Sequence, residues 1–173
     1  MKTKFFSITL IFFFSIIFLI FYKGLQNSNI YVPESKIKKD IPIFEAKTLL
    51  GMDKKKLSEE IFKKDQFYLM NIWSSWCVPC KDEHRYLMSL KNQKNIEIIG
   101  LNYKDKIRNA KNFLKELGNP YKHILLDEKG IIAIEWGAYG VPESFLIYDK
   151  KIIKKIIGPI NEDIFLEMKE LIK

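Results

Sequence analysis

The 173-residue chain is poor in cysteine, histidine and arginine. Its only cysteines are Cys77 and Cys80, which excludes a small scaffold held together by several disulfides. The formal net charge of +8 comes from lysine, because the only arginines are Arg85 and Arg108. Surfaces that read phosphate depend on the planar guanidinium group, so this charge argues against nucleic-acid binding. The length suits one domain with an appendage.

The appendage is an apolar run at the N terminus. Residues 5–22, FFSITLIFFFSIIFLIFY, contain no charged side chain. A helix of this length, at about 1.5 Å per residue, nearly spans the hydrocarbon core of a bilayer. A cleaved signal peptide is the alternative, but its apolar core is usually shorter and no small-x-small cleavage motif follows. We therefore expect an uncleaved membrane anchor over residues 1–23, and the flanking lysines permit either orientation.

The rest of the chain is predicted to be a tether and one domain. Residues 24–40 are polar and rich in lysine, which is typical of a tether. From residue 41 to 173, strand-like and helix-like segments alternate. The long apolar runs at 67–73 and 96–103 predict strands that are covered on both faces. Helices are predicted from Cys77 to about Leu90, from Ile107 to Leu117, and from about Asn161.

Shorter segments of the sequence predict the remaining strands and one more helix of the domain. Residues 43–46 are expected to form a first strand, and residues 57–65 a short helix capped by Ser58. Near the C terminus, SFLIY and KIIKKII flank a two-residue turn at Asp149 and Lys150, which predicts an antiparallel hairpin. The sequence therefore predicts an α/β fold with a central mixed sheet and helices on both faces.

The Cys-Val-Pro-Cys pair is compatible with three kinds of chemistry. A structural disulfide across one helical turn closes a tiny loop and restrains the unfolded chain little. Metal binding has enough potential ligands in Cys77, Cys80, His84 and His123, but the scattered histidines do not have the spacing of a zinc site. Haem attachment requires histidine directly after the second cysteine, where Lys81 stands. The third chemistry, thiol–disulfide exchange, is favoured.

Thiol–disulfide exchange has a direct physical reason at this position. The pair follows a predicted buried strand and begins a helix, whose free N–H groups and dipole favour a thiolate. We expect Cys77, on the exposed edge of the turn, to attack and the more buried Cys80 to resolve the mixed disulfide. Glu83 shares a helix face with Cys80 and is a candidate acceptor of its proton. The redox-active disulfide itself would serve in place of a cofactor, and no metal is expected.

The motifs around this pair resemble those of the thioredoxin-like proteins. Within that family they are most similar to the membrane-anchored thiol-disulfide oxidoreductases of bacterial cytochrome c maturation, the CcmG/DsbE type. The resemblance runs from Phe67 to the C terminus and rests on NIWSSWCVPCKDEHRYL, GLNYKD, FLKELGNPY and GAYGVPESFLI, in this order. The chain departs from the family at Ser144, where threonine is common, and in the Val-Pro dipeptide between the cysteines.

The resemblance implies a thioredoxin fold that faces the periplasm from the bacterial inner membrane. It implies reduction by a membrane electron donor of the DsbD/CcdA type, and electron transfer to apocytochrome c or to a partner thiol protein. A cis Pro142 is implied opposite the dithiol, where the backbone of Val141 would pair with an extended client. Glu143 matches the acidic position of the family near the dithiol, and Tyr139 lies in the loop expected to contact clients.

Alternatives stay open for single residues and for the whole chain. Trp76 is interpreted as an apolar rim that partners touch, whereas Trp73 is expected in the core. Tyr139 also fits an ordinary loop tyrosine, and His84 a structural histidine. Glu83 also fits a solvated helix acid, and Glu143 a charged residue at the start of a strand. For the whole chain, the alternatives are a general extracytoplasmic reductase with other clients, a metal-binding chaperone that uses the dithiol, and a structural interaction domain.

Overall fold

The computed structural model describes residues 2–26, 39–50 and 56–173. The chain divides into two compact units, residues 1–34 and 35–173. The first unit contains helix α1 (Lys2–Gln26). Across the described parts of the chain, we find no helix whose length and apolar character suffice for crossing a membrane. Most of the predicted tether lies outside the described residues.

The second unit is built on a mixed sheet. Within the described residues its strands, in chain order, are β1 (Lys39–Asp40), β2 (Glu45–Thr48), β3 (Lys56–Ser58), β4 (Phe67–Trp73), β5 (Ile96–Tyr103), β6 (His123–Asp127), β7 (Glu143–Tyr148) and β8 (Lys151–Ile157). The spatial order is β1-β8-β7-β4-β5-β6-β2-β3. Strands β4, β5 and β6 are parallel, whereas β7 is antiparallel to both β4 and β8. The predicted C-terminal hairpin is therefore confirmed.

Helices cover both faces of this sheet. They are α2 (Val78–Leu90), α3 (Ile107–Leu117), α4 (Ile131–Glu135) and α5 (Glu162–Leu171), together with a 3-10 turn at Glu59–Ile61. Side chains of β4 alternate between two core clusters: Leu69 and Trp73 pack with residues of α2, α3 and α5, whereas Met70 and Ile72 pack with residues of α4. This arrangement confirms the predicted α/β fold with a mixed sheet.

The N-terminal part of the domain differs from the prediction. The strand expected at residues 43–46 lies two residues later, as β2, and the helix expected at residues 57–65 is replaced by β3 and the 3-10 turn. Ser58 still caps this turn, because its hydroxyl accepts the N–H of Glu60 at 3.4 Å. A short helix is marginal by itself, and pairing of β3 with β2 provides backbone hydrogen bonds instead.

Two short segments form a strand and a helix that the sequence pattern did not predict. Lys39–Asp40, at the end of the predicted tether, pairs with β8 as strand β1. The segment IIAIEW contains α4, whose first N–H groups meet the buried carboxylate of Asp127. The N–H groups of Ile132 and Ala133 donate to this carboxylate at 3.3 and 2.9 Å. The carboxylate at the N terminus of α4 explains why so short a helix begins there.

Candidate active site

The two cysteines lie at the N terminus of α2, directly after the central strand β4. Their sulfur atoms form a disulfide, with the Cα atoms 5.3 Å apart. Cys77 is the N-cap of α2, and its sulfur accepts the backbone N–H of Cys80 at 3.2 Å. Pro79 occupies the first turn, where its missing N–H is not needed. A backbone donor is thus directed at the Cys77 sulfur, as stabilisation of a thiolate requires.

The disulfide is less exposed than expected. Only 4% of Cys77 and 2% of Cys80 are accessible to solvent. The prediction that Cys77 lies on an exposed edge is wrong for this oxidised state, because its sulfur is bonded to Cys80 and belongs to a core cluster. The neighbouring Trp76 and Val78 are 56% and 69% exposed, and the indole N–H of Trp76 donates to the carbonyl of Lys104 at 3.2 Å. Trp76 and Val78 are thus the accessible side chains beside the disulfide, and contact of Trp76 with a partner stays a prediction.

Residues 74–77, which we call the redox loop, are held by a carboxylate from the connection between β5 and α3. Asp105 accepts the backbone N–H of Ser75 at 2.6 Å and its hydroxyl at 2.8 Å. The same carboxylate accepts the side-chain amide of Asn102 at 3.0 Å and the N–H of Lys106 at 2.7 Å. Burial acts to raise the pKa of Asp105, but these hydrogen bonds outweigh it and lower the pKa below its ordinary value.

Glu83 lies fully buried on α2, one turn after Cys80. Its Oε1 accepts the side-chain amide of Asn71 at 2.9 Å, and its Oε2 accepts the backbone N–H of Ile160 at 2.9 Å. Burial raises the pKa of Glu83 to about 7, although both hydrogen bonds act to lower it. The carboxyl group therefore exchanges its proton near neutral pH, as a proton acceptor for Cys80 would have to. Its part in exchange stays a prediction.

The proline expected opposite the dithiol is in a cis peptide bond. The bond is Val141–Pro142, as the resemblance implied. Pro142 is buried, and the half-buried Val141 packs against both core clusters. Pro142 directly precedes β7, whose first residue, Glu143, pairs with Ile72 near the end of β4. The cis bond thus lies near the C-terminal end of β4, from which the redox loop begins.

Glu143 holds the loop that precedes the cis bond. Its buried carboxylate accepts the N–H groups of Tyr139 and Gly140 at 2.7 and 3.0 Å. It also forms an ion pair with Lys155 of β8, with the two charged atoms 3.0 Å apart. The ammonium of Lys155 lies 3.9 Å from the ring centroid of Tyr139, a cation–π contact, and Tyr139 is 84% exposed. Contact of Tyr139 or Glu143 with a client stays a prediction.

The two histidines do not join the cysteines in a metal site. His84 is buried, its Nε2 lies 3.0 Å from the carbonyl oxygen of Gly118, and its ring meets that of Phe113 edge to face. Burial lowers the pKa of His84, against the effect of the Gly118 contact. These contacts fit the structural interpretation of His84. Among the described residues, no three histidine, cysteine or acidic side chains are grouped as a metal site requires.

Several residues of the site were missed by sequence reasoning. Asn71 could have been recognised from the sequence, because it is the only amide side chain in the apolar run FYLMNIW. A buried amide needs hydrogen-bond partners. Asp105 and Tyr121 lie within the motifs on which the resemblance rests, but nothing local indicates their contacts. Lys155 is one of many lysines and carries no signal.

Together, the fold and the site define a class of protein. A mixed sheet with helices on both faces, a Cys-x-x-Cys pair that begins a helix after the central strand, and a cis-proline directly before a strand that pairs with it characterise the thioredoxin-like thiol:disulfide oxidoreductases. The Redoxin family pattern matches residues 36–170. The chain therefore belongs to the Redoxin family.

Individual relatives assign the chain, within this family, to the DsbE type of thiol:disulfide interchange protein. The chain is 38% identical over 148 residues to the thiol:disulfide interchange protein DsbE of Haemophilus influenzae, a match that covers 84% of the chain and 80% of the relative. It is 47% identical over 97 residues to the thiol:disulfide interchange protein CycY of Rhizobium leguminosarum, covering 56% of the chain and 52% of the relative. The crystal structure of a DsbF homologue from Corynebacterium diphtheriae superposes with a TM-score of 0.68. That match covers 84% and 96% of the two chains, and its 17% identity shows the fold alone.

Proposed function

We propose that the chain is a periplasmic reductase of disulfides in cytochrome c maturation, and that it works through the Cys77–Cys80 pair. The observation that carries this proposal is the position of the Cys77 sulfur, at the N terminus of α2 with the N–H of Cys80 directed at it. This donor and the helix dipole would stabilise a Cys77 thiolate, which is the species that attacks a disulfide.

The direction of electron flow is supported by Glu83. Its buried carboxyl group lies one turn from Cys80, and no ion pair within the described residues neutralises it. A carboxylate in this position disfavours a second negative charge on a nearby sulfur. It therefore destabilises a reduced pair in which Cys80 is ionised, which opposes the stabilisation of the Cys77 thiolate by the helix dipole and favours the donation of electrons.

The proposed reaction has two steps. The Cys77 thiolate attacks a client disulfide, so that the client's S–S bond breaks and a bond between Cys77 and one client sulfur forms. Cys80 then gives its proton to Glu83 and attacks the Cys77 sulfur, so that the Cys77–Cys80 bond forms, the bond between Cys77 and the client sulfur breaks, and the second client thiolate leaves. The client gains two electrons and takes up protons, and the protein is left oxidised.

The partners and the location are proposed from the resemblance. The clients would be the thiol pair of apocytochrome c or a partner thiol protein, and a membrane protein of the DsbD/CcdA type would return two electrons to the oxidised pair. We propose that residues 5–22 hold the chain in the bacterial inner membrane, because these 18 residues carry no charge. The domain from residue 41 onward would then face the periplasm.

The client proposal is tested with the reduced full-length protein in detergent. An oxidised peptide with the haem-attachment pattern Cys-x-x-Cys-His is expected to be reduced rapidly, whereas Cys77→Ser should reduce none. The matched control peptide has alanine in place of histidine. Equal rates with both peptides would favour the general reductase, and equal activity of Cys77→Ser would contradict the proposal altogether.

The direction is tested by equilibrium with glutathione. The dithiol of the purified protein is expected to be more reducing than the glutathione couple, so that it stays oxidised in buffers where glutathione is mostly reduced. A Cys77–Cys80 disulfide that instead oxidises reduced glutathione would indicate an oxidant of client thiols.

Anchoring is tested by fractionation of cells that express the chain. The full chain is expected to stay with the membrane after alkaline carbonate extraction, and a chain that lacks residues 2–26 to be released. Release of both would remove the anchor from the proposal.

A further inference from the structure

A chain of buried hydrogen bonds reaches Glu83 from a distant tyrosine. The hydroxyl of Tyr121 donates to Oδ1 of Asn71 at 2.8 Å. The amide Nδ2 of Asn71 donates to Oε1 of Glu83 at 2.9 Å and to the hydroxyl oxygen of Ser144 at 3.0 Å. All four side chains are buried. The network thus connects β4, β7, α2 and the segment after α3 inside the core beside the dithiol.

The tyrosine hydroxyl decides which way the Asn71 amide points. A phenol has one hydrogen to donate, and here that hydrogen goes to the amide oxygen. The amide nitrogen must then face Glu83 and Ser144. Without the hydroxyl, the amide could turn and present its oxygen to Glu83, which repels a carboxylate but accepts a hydrogen bond from a protonated carboxyl group.

The position of the Tyr121 ring is itself fixed by β5 and β4. The ring stacks on Trp73, with centroids 5.4 Å apart. It also lies against the backbone at Gly100, where a Cβ atom would come within 2.9 Å of the ring and 2.8 Å of the Trp73 indole nitrogen. Only glycine allows this approach, so the sheet provides a place for the ring from which its hydroxyl reaches Asn71.

We propose that Asn71 and Tyr121 are positioning residues that keep hydrogen-bond donors on Glu83 and so set the pH at which Glu83 exchanges a proton with Cys80. The second donor is the backbone N–H of Ile160, which substitutions of side chains leave in place. Their part in exchange rests on the proposed function, whereas their effect on Glu83 does not.

Few other charges adjoin Glu83 to obscure this effect. Burial and the hydrogen bonds from Ile160 and Asn71 are the causes of the shifted pKa of Glu83, and no charged side chain of β5 or α5, which also pack against α2, is among them. Tyr121 titrates, but burial and the charge of Glu83 raise its pKa well above its ordinary value. On α2 itself the titratable neighbours are the cysteines, when reduced, and His84.

The test is a carboxyl titration of the full chain in its oxidised state, in which the cysteines cannot titrate. The signal of Glu83 is followed by ¹³C NMR and identified by its loss in Glu83→Gln. In Tyr121→Phe the ring and its packing remain, but the donor that orients Asn71 is gone. Loss of a donor to the carboxylate raises its pKa, so we expect the midpoint to rise by about one pH unit. Asn71→Leu should shift it in the same direction.

The matched control is Tyr68→Phe on the opposite face of β4. Tyr68 is also buried, and its hydroxyl accepts the N–H of Lys63 at 3.2 Å, so this variant also loses one hydrogen bond. Its midpoint should equal that of the wild type. An unchanged midpoint in both Tyr121→Phe and Asn71→Leu, or an equal shift in the control, would overturn the proposed positioning.

A kinetic measurement separates this proposal from the proposed function. The rate at which Cys80 resolves a mixed disulfide is measured against pH, and its midpoint is expected to move with the NMR midpoint in Tyr121→Phe. If the NMR midpoint moves and the kinetic midpoint does not, Glu83 does not take the proton of Cys80, and the part of the inference that concerns exchange is overturned.

Discussion

A single carboxylate, that of Asp105, fixes the backbone that leads into the dithiol. It accepts hydrogen bonds from Ser75, Asn102 and Lys106, so its loss would leave several donors without a partner. We expect Asp105→Ala to lower the free energy of unfolding by about 1–3 kcal/mol, measured in urea. Asp82→Ala, an exposed acid on α2, is the control and should change it by less than about 0.5 kcal/mol. Equal effects would contradict this account of the redox loop.

The contribution of Asp105 also depends on pH. Its pKa is lowered in the folded protein, so the stabilisation is present above the unfolded value of 3.8 and is lost as the pH falls below it. The difference in unfolding free energy between the wild type and Asp105→Ala should therefore shrink only in acid, below about pH 4.

Glu83 should have the opposite effect on stability. Burial raises its pKa from 4.5 to about 7, so the folded protein keeps a proton that the unfolded chain has released. The free energy of unfolding should then fall as the pH rises between these two values, by at most about 3 kcal/mol. His84 opposes this trend, because burial lowers its pKa from 6.5 and its stabilisation is lost as the pH falls.

A comparison with Glu83→Gln isolates the carboxyl group from His84. We expect the stability of the oxidised wild type relative to Glu83→Gln to fall by about 2–3 kcal/mol between about pH 4.5 and pH 7.5. The measurement is urea unfolding at a series of pH values. A constant difference across this range would mean that Glu83 does not titrate there.

The chemistry of the dithiol was predictable from the sequence, whereas its supporting contacts were not. A Cys-x-x-Cys pair after a strand is local information. By contrast, Tyr121 and Asn71 are 50 residues apart in sequence, and Asp105 and Ser75 are 30 apart. Such pairs are brought together only by the order of strands in the sheet. Even the expected exposure of Cys77 was wrong, because it depends on how the whole edge of the sheet packs.

Among the elements, long buried strands were predicted with correct bounds and short peripheral ones were not. Strands β4 and β5 have the predicted bounds, because apolar runs bounded by polar residues define them locally, and the half-buried β8 has them because the turn at Asp149 and Lys150 defines its start. Residues 57–65 have the spacing of a helix, but pairing of β3 with β2 determines their structure. Propensity is a weak guide where so few residues contribute to it.

Strand β8 supports the loop of residues 137–140 through one lysine. Lys155 pairs with the buried Glu143, so Lys155→Met leaves a buried carboxylate without its counter-ion. We expect a loss of about 2–3 kcal/mol in unfolding free energy, and faster hydrogen exchange at the Tyr139 N–H. The neighbouring Lys154 pairs with Glu167 at the surface, so Lys154→Met should cost at most about 1 kcal/mol. Similar losses in both variants would contradict this account.

In the molecule as a whole, the two sulfur atoms are expected to have different roles: Cys77 attacks the client, and Cys80 resolves the mixed disulfide. The domain places both at the start of α2, after the C-terminal end of β4, and the flanking Trp76 and Val78 form the accessible surface beside them. The same helix carries the buried carboxyl group of Glu83 one turn after Cys80. An exchange protein built in this way should bind its client covalently through one particular cysteine.

Trapping of the mixed disulfide tests this claim most directly. The full-length protein carrying Cys80→Ser is incubated with an oxidised Cys-x-x-Cys-His peptide, and the adduct is identified by mass spectrometry. We expect a stable adduct on Cys77, because the resolving thiol is absent, and almost none in Cys77→Ser. An adduct that forms equally well on Cys80 in Cys77→Ser, or the absence of an adduct from both variants, would contradict the account.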